Sequence, residues 1–371
     1  MVAPALKLTN LQVAMLLALG APCILVHMLD YVSMTSDASY RKDLQCFEIF
    51  AGTSGVYKAF RRRGLAAARY DVDLDKDSMD FTSVLGLLVA LQYVLRMAPG
   101  SLLYSGLPCS LHVWIARGSS LKTRCNPRGN LLKSCVREAN LIACRFSMVV
   151  LVCLVRQIWH LTEQPGSSVA RHLPYLELAL HPDRMMMGFQ SSLCQYFWMG
   201  LFGHRSLKRS MAFGTSCWAH MLSLQARLTK ADREEHRWSS AGNTKVTRNR
   251  QGKVKNVSGG PKLKETQSYP SKFCSRVCSL HKTWCLDTNS VPAIPDRHQL
   301  EHGPHNFADK SIWDDAQLED LLKFIQQEML LEHFVPRSTV PLQTAPISHD
   351  QVGVYFSCLN AESGPKRKRG Q

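Results

Sequence analysis

Three short stretches of the chain hold residue types that do chemistry. The first is Phe47-Glu48-Ile49-Phe50-Ala51-Gly52-Thr53-Ser54-Gly55, an apolar run ending in a glycine turn. Without a side chain at such a turn, the backbone can pass close to a nucleotide-like ligand. Asp71 and Asp73 follow, at roughly the distance where a carboxylate accepts the hydroxyl protons of a ribose. A full dinucleotide fingerprint is missing, so an adenosyl ligand without a pyrophosphate fits better than NAD. The second stretch is Gly106-Leu107-Pro108-Cys109-Ser110, with Trp114 shortly after. A thiolate at Cys109, held at a fixed angle by the preceding proline, could add to an electrophilic ring carbon. The alternative is an inert buried cysteine. The third stretch is Thr162-Glu163-Gln164-Pro165, where a protonated Glu163 could hydrogen-bond a ring nitrogen. A solvent-exposed loop glutamate is the alternative there.

Positioning these groups is a matter of alternating elements. Leu44 to Phe50 reads as a strand, Val56 to Arg63 as a helix closed by Gly64, and Leu65 to Val72 as a second strand. Val84 to Met97 reads as a helix ended by Pro99-Gly100, and Ser101 to Ser105 as a strand feeding the Pro-Cys loop. Glu138 to Trp159 reads as a long apolar helix before a short strand, His160 to Thr162. This alternation predicts βαβ units and a mainly parallel sheet. The ends of parallel strands then bring Cys109 and Glu163 to one ligand-facing edge.

In this order, Phe47 to Gly52, Tyr70-Asp71-Val72-Asp73, Pro108-Cys109-Ser110 and Glu163-Gln164-Pro165 resemble the cytosine-5 DNA methyltransferase family. More closely, they resemble a divergent group of methyltransferase-like proteins of algal protists. Trp114, Arg117-Gly118, Gly166-Ser167-Ser168, Phe197-Trp198-Met199-Gly200, Phe202-Gly203-His204 and Lys208 extend the likeness over about residues 44–224. The resemblance implies an α/β, Rossmann-like, mainly parallel sheet flanked by helices, of the class I methyltransferase kind. It implies S-adenosylmethionine against Phe50, Gly52 and Gly55, with Asp71 or Asp73 on the ribose and Asp80 near the adenine. It also implies Cys109 as the nucleophile at C6 of a flipped-out cytosine, with Glu163 on N3. Leu107, Ser110 and Gln164 depart from the residues usual in that family. A catalytically inactive module that binds nucleic acid or a protein partner is the second reading.

Composition fits either reading. The 371 residues are 45% hydrophobic and carry a formal charge of +16, which favours a polyanion as partner, nucleic acid before anionic membrane. Thirteen scattered cysteines point to a reducing compartment. Residues 1–43 read as an apolar segment and linker, and residues 44–228 as the methyltransferase-like domain. Residues 229–308 read as basic and disordered, with 227–264 suited to phosphate contacts. Residues 309–334 read as an amphipathic acidic helix that either docks a partner or folds back on the core. Residues 335–371 read as a disordered tail. Leu11 to Leu29 is nearly uncharged and about as long as a membrane span; a membrane anchor, a secretory signal and a packed helix interrupted at Gly20-Ala21-Pro22 are all open. Pro365-Lys366-Arg367-Lys368-Arg369 has the form of a nuclear-import run. Cys274, Cys278, His281 and Cys285 have the chemistry of zinc ligands, but on one helix they would line a single stripe. Met185-Met186-Met187 reads as packing, and His112 as a possible neighbour of the Cys109 thiol or a solvent-facing loop residue.

Overall fold

The computed structural model describes residues 6–36, 40–181, 192–223, 228–237, 244–252, 254–259, 267–295 and 310–331. The expected tail at 335–371, with its basic run Pro365 to Arg369, and the Met185–Met187 triplet lie outside these residues.

Strands β1 (Leu44–Ile49), β2 (Ala67–Tyr70), β3 (Met97–Ser105), β4 (Trp159–Pro165), β5 (Leu193–Trp198) and β6 (Arg209–Gly214) form one sheet in the order β2-β1-β3-β4-β6-β5. The pairs β1–β2, β1–β3 and β3–β4 are parallel. β6 runs antiparallel to both β4 and β5. The fold is therefore α/β with a mixed, mostly parallel sheet. β1 and β3 are buried on both faces, as strands between two helical layers are. Phe47, Ile49, Leu103, Met211 and Phe213 point into one core, and Cys46, Leu102, Tyr104 and Ala212 into the other.

The first core lies under helices α1 (Asn10–Ala18), α2 (Cys23–Thr35), α4 (Val84–Arg96), α6 (Ser134–Val155) and α7 (Pro174–Leu180). The second lies under α3 (Gly55–Arg61), α9 (Ser271–His281) and short turns after β5 and β6. The remaining helices are α5 (Arg117–Ser120), α8 (Lys230–Arg237) and α10 (Leu318–Leu331), and a separate hairpin pairs β7 (Thr244–Arg248) with β8 (Val254–Gly259).

Local sequence explains most of the element ends. The Ser83 hydroxyl accepts a hydrogen bond from the Gly86 N–H at 2.9 Å and caps α4. α6 stops at Val155, short of the expected Trp159, because Gln157 turns left-handed at φ 58°. Trp159 is thereby released to begin β4, where its indole N–H donates to the Ser290 carbonyl at 3.0 Å. Among the described residues α6 alone is long and apolar enough to cross a membrane, and 83% of its apolar window is buried in this fold. Its Arg145 is buried and donates to the carbonyls of Thr82 and Ser83 at 2.5 and 2.9 Å. That side chain ties α6 to the start of α4.

The apolar stretch Leu11 to Leu29 does not form one helix. It divides at Gly20-Ala21-Pro22 into α1 and α2, of 9 and 13 residues, both packed into the first core. Neither has the length of a bilayer span. Thr9 and Gln12 close a capping box at the start of α1, and the Gln12 amide donates to the Val155 carbonyl at the end of α6 (3.1 Å).

In the C-terminal half one expectation needs correction, and of the two alternatives for 309–334 the structure has the helix folded back on the core. The span 229–308, read as disordered from its polarity, contains α9, with Phe273, Cys274, Val277, Cys278, Leu280 and His281 buried. The amphipathic helix expected at 309–334 is a 3-10 turn, Lys310–Ala316, followed by α10. Trp313, Ala316, Leu318, Leu321 and Ile325 are buried in the first core, so this apolar stripe is covered by the chain itself. The Trp313 indole donates to the Gly20 carbonyl at 2.9 Å, and the Tyr31 hydroxyl to Glu328 at 3.1 Å.

Candidate functional site

The parallel strands β1 to β4 deliver their carboxyl ends to one edge of the sheet, the usual place for a ligand in such a sheet. The turn after β1 is held in an unusual backbone shape. Phe50, Gly52 and Ser54 all have positive φ, at 57°, 48° and 57°. A Cβ at Gly52 would meet nothing within 4 Å, so glycine serves there for its backbone angle and leaves open space above the turn. Below it, the buried Glu48 carboxylate accepts from the N–H groups of Val56 and Tyr57 at 3.3 and 2.6 Å. Burial pushes the Glu48 carboxyl up to about 7 against those two donors.

Asp71 locks the same turn from the side. One oxygen accepts from the Gly52 N–H at 2.8 Å and the other from the Asp73 N–H at 3.0 Å. Asp73, exposed in the turn after β2, lines the cavity together with Phe50, Gly52 and Thr53. Of the two acidic residues expected at a ribose, Asp73 is therefore the one on the cavity wall.

Two other expected contacts are placed elsewhere. Asp80 accepts from the Thr82 N–H and hydroxyl at 2.9 and 2.7 Å, at the entry to α4. Gly55 starts α3, and a Cβ there would stand 2.6 Å from the Cys274 sulfur. This glycine lets α9 pack closely on α3, and neither residue is on the cavity wall.

The cavity itself has a volume of about 470 Å³ and brings the expected chemistry together. Gly106 to Ser110 form one wall, with Cys109 partly exposed on it. Burial pushes the Cys109 thiol above its ordinary range, Lys208 opposes that shift, and Glu163 adds to it. Gln164, a buried residue of the lining, donates from its amide to the Leu107 carbonyl and accepts from the Ser168 hydroxyl at 2.9 Å. The loops after β3 and β4 are thereby tied to each other.

Glu163 is 3% exposed. It accepts from the Tyr269 hydroxyl at 2.9 Å and stands 3.5 Å from the Lys208 ammonium. Lys208 lies 5.6 Å above the Tyr269 ring, within the range of a cation–π contact. The alternative of a solvent-exposed loop glutamate gives way to a buried, partnered carboxylate.

Tyr269 was not expected at the site. It reaches the cavity because α9 follows it and docks on α3, with Phe273 stacked on Phe197 at 5.5 Å. The only sequence signal was the spacing of Phe273, Val277 and Leu280, an apolar stripe inside a polar segment. Lys208 was legible as part of a motif, but its place beside Glu163 depends on the turn between β5 and β6.

His112 is neither on the thiol nor in solvent. It is buried, with Nδ1 at 3.3 Å from the Lys122 ammonium, and burial holds its imidazole down at about 3. Among the described residues no group of three or more His, Cys, Asp or Glu side chains is placed to hold a metal. Cys274, Cys278, His281 and Cys285 are all buried in the second core or packed against it.

Comparison with protein-family models, curated proteins and solved structures gives no match.

Proposed function

We propose that this protein is an S-adenosylmethionine-dependent methyltransferase acting on nucleic acid, with cytosine C5 of DNA as the methyl acceptor. The observation that carries this reading is one cavity whose wall joins Phe50, Gly52 and Asp73 to Cys109 and Glu163. Support also comes from the mostly parallel sheet with β6 inserted antiparallel between β4 and β5, which suits a class I methyltransferase architecture. The residues present fit the cofactor: an open glycine turn, an aromatic wall at Phe50, and an exposed carboxylate at Asp73 for the ribose hydroxyls. When bound, the cofactor supplies an electrophilic methyl group.

The chain's own residues divide the remaining work. The Cys109 sulfur adds to C6 of the pyrimidine as a thiolate while N3 takes up a proton through Glu163, which makes C5 nucleophilic. Once C5 carries the methyl group, loss of the C5 proton to solvent breaks the S–C6 bond, restores the ring double bond and frees the thiolate, and N3 returns its proton. Because burial holds the thiol above its ordinary range, its proton must leave as the base enters, and the Lys208 charge favours that loss. Glu163, fixed by Tyr269 and Lys208, faces the ring nitrogen N3. Gln164 keeps the Cys109 loop in register with Glu163 through the Leu107 carbonyl. The basic run Pro365 to Arg369 suits nuclear import, in keeping with a DNA substrate.

The raised Cys109 thiol also favours the second reading, a catalytically inactive methyltransferase-fold module that binds nucleic acid or a protein partner. One experiment separates the two. The full chain is incubated with S-adenosylmethionine and a 5-fluorodeoxycytidine oligonucleotide, and covalent adducts are resolved by denaturing gel. An adduct formed by wild type and lost in Cys109→Ala supports cytosine chemistry. Equal trapping by Cys109→Ala removes Cys109 from the mechanism. Cofactor binding without any adduct selects the inactive module.

A further inference from the structure

Two surface segments share a charge pattern that the cavity does not explain. Residues 110–137 contain six Lys or Arg and no carboxylate, and residues 244–259 contain five and none. The fold places them side by side, with β8 lying next to the 3-10 turn Trp114–Ala116. That turn begins five residues after Cys109 and is joined to it by the His112 N–H, which donates to the Cys109 carbonyl at 2.9 Å.

Not every cation in the first segment is available. Lys122 is buried, and Arg128 is paired with Asp315 at 2.9 Å. Arg117, Arg124, Lys133 and Arg137 remain exposed. So do Arg248 and Arg250, at the turn end of the hairpin. Apolar surface is interleaved with these charges: Trp114 is 56% exposed and Leu132 is 90% exposed. A solvated basic face does not need an indole held out into water. Cations that track phosphates, together with an aromatic face on which a base can stack, are the two parts of a single-strand binding surface.

We propose that the β7–β8 hairpin and the Trp114 turn form a DNA-docking surface that holds a locally unpaired strand at the mouth of the cavity. Arg248 and Arg250 contact phosphates, and Trp114 stacks on a base next to the one that enters. The occupant is argued from charge complementarity and the exposed indole. This proposal rests on the reading of the cavity as a nucleic-acid methyltransferase site, and it names where the strand lies.

The test uses the full chain and a fluorescein-labelled single-stranded DNA 20-mer, with anisotropy read from about 50 to 200 mM NaCl. The variants are Arg248→Ala with Arg250→Ala, and separately Trp114→Ala. All three positions are exposed, and unchanged melting temperatures verify the fold. Loss of two phosphate contacts lowers the magnitude of the log–log salt slope by about 1.4, at about 0.7 per contact on a single strand. Loss of one stacked base weakens binding by roughly 5- to 150-fold. Wild-type affinity and slope in both variants would overturn the proposal. S-adenosylmethionine binding is measured by calorimetry on the same samples. If the cofactor binds and the DNA variants change nothing, the docking surface is wrong and the cavity reading stands. If the DNA variants behave as expected and the cofactor does not bind, the surface stands and the methyltransferase reading fails.

Discussion

Asp71 and Asp73 are two residues apart, and the structure gives them different work. Replacing each with alanine separates turn stability from cofactor affinity. Asp71 accepts from two backbone N–H groups, at 2.8 and 3.0 Å, and it is half-buried. Hydrogen bonds to a charged group contribute about 1.5–3 kcal/mol each when well buried. Partial exposure brings the expected cost of Asp71→Ala to about 2 kcal/mol, or roughly 3–4 °C in melting temperature for a fold of about 280 described residues. The Asp73 carboxylate is exposed on the cavity wall. Asp73→Ala should therefore stay within about 0.5 kcal/mol of wild-type stability. Its effect should fall on the ligand. Losing one charge-assisted bond to a ribose hydroxyl, about 1.5–3 kcal/mol, weakens S-adenosylmethionine binding by roughly 10- to 100-fold. Calorimetric titration and thermal unfolding on the same preparations give both numbers. Unchanged cofactor affinity in Asp73→Ala would refute the ribose placement. An unchanged melting temperature in Asp71→Ala would refute the locked turn.

Three further perturbations test other parts of the argument. Gly55→Ala places a methyl group 2.6 Å from the Cys274 sulfur and should cost about 1–3 kcal/mol by overpacking; adding Cys274→Ala should recover most of it, and a double-mutant cycle in urea without coupling would disprove the contact. Gln164→Ala leaves the Leu107 carbonyl without its donor at a cost of about 1–3 kcal/mol, and peptide-resolved alkylation should find Cys109 reacting faster with iodoacetamide. His160 is buried, and burial holds its imidazole down at about 3, against about 6.5 when unfolded. It contributes stability that is present above pH 6.5 and lost as the pH falls toward 3, by up to about 1.4 kcal/mol per pH unit. His160→Gln should make the urea midpoint less sensitive to pH between 7 and 5, and an identical slope would contradict the buried neutral ring.

Much of this architecture was legible because strong local signals agreed with the fold. The apolar run Leu44 to Ile49, the Ser83 cap before α4 and the glycine turn at Gly52 each identify their element from within a few residues. The edge carrying Cys109 and Glu163 followed from strand alternation alone. What was missed depends on distant packing. α9 is polar on average, and two of its six buried positions are cysteines, which count as small apolar residues only once a core surrounds them. The role of Gly55 could not be seen without Cys274 beside it, since an unpacked glycine before a helix reads as part of a ligand turn. The choice between Asp71 and Asp73 was left open for a related reason: spacing identifies a carboxylate near the turn but cannot say which of two faces the backbone. The stripe on α10 was visible in sequence, but only the assembled fold shows that its partner is the chain's own first core.

The return of the chain through Tyr269 also bears on when this site comes into existence. Glu163 and Lys208 are both synthesised before residue 228, yet the hydroxyl that holds Glu163 arrives with Tyr269, some 40 residues later. At about 5–20 residues per second, a nascent chain spends several seconds with the cysteine loop made and the carboxylate unsecured. In that interval Phe197 and Phe202 also await Phe273. A fragment ending at residue 228 would keep every residue that identifies the site and would be held permanently at this unfinished stage. Completion of the cavity thus waits for Tyr269 and α9.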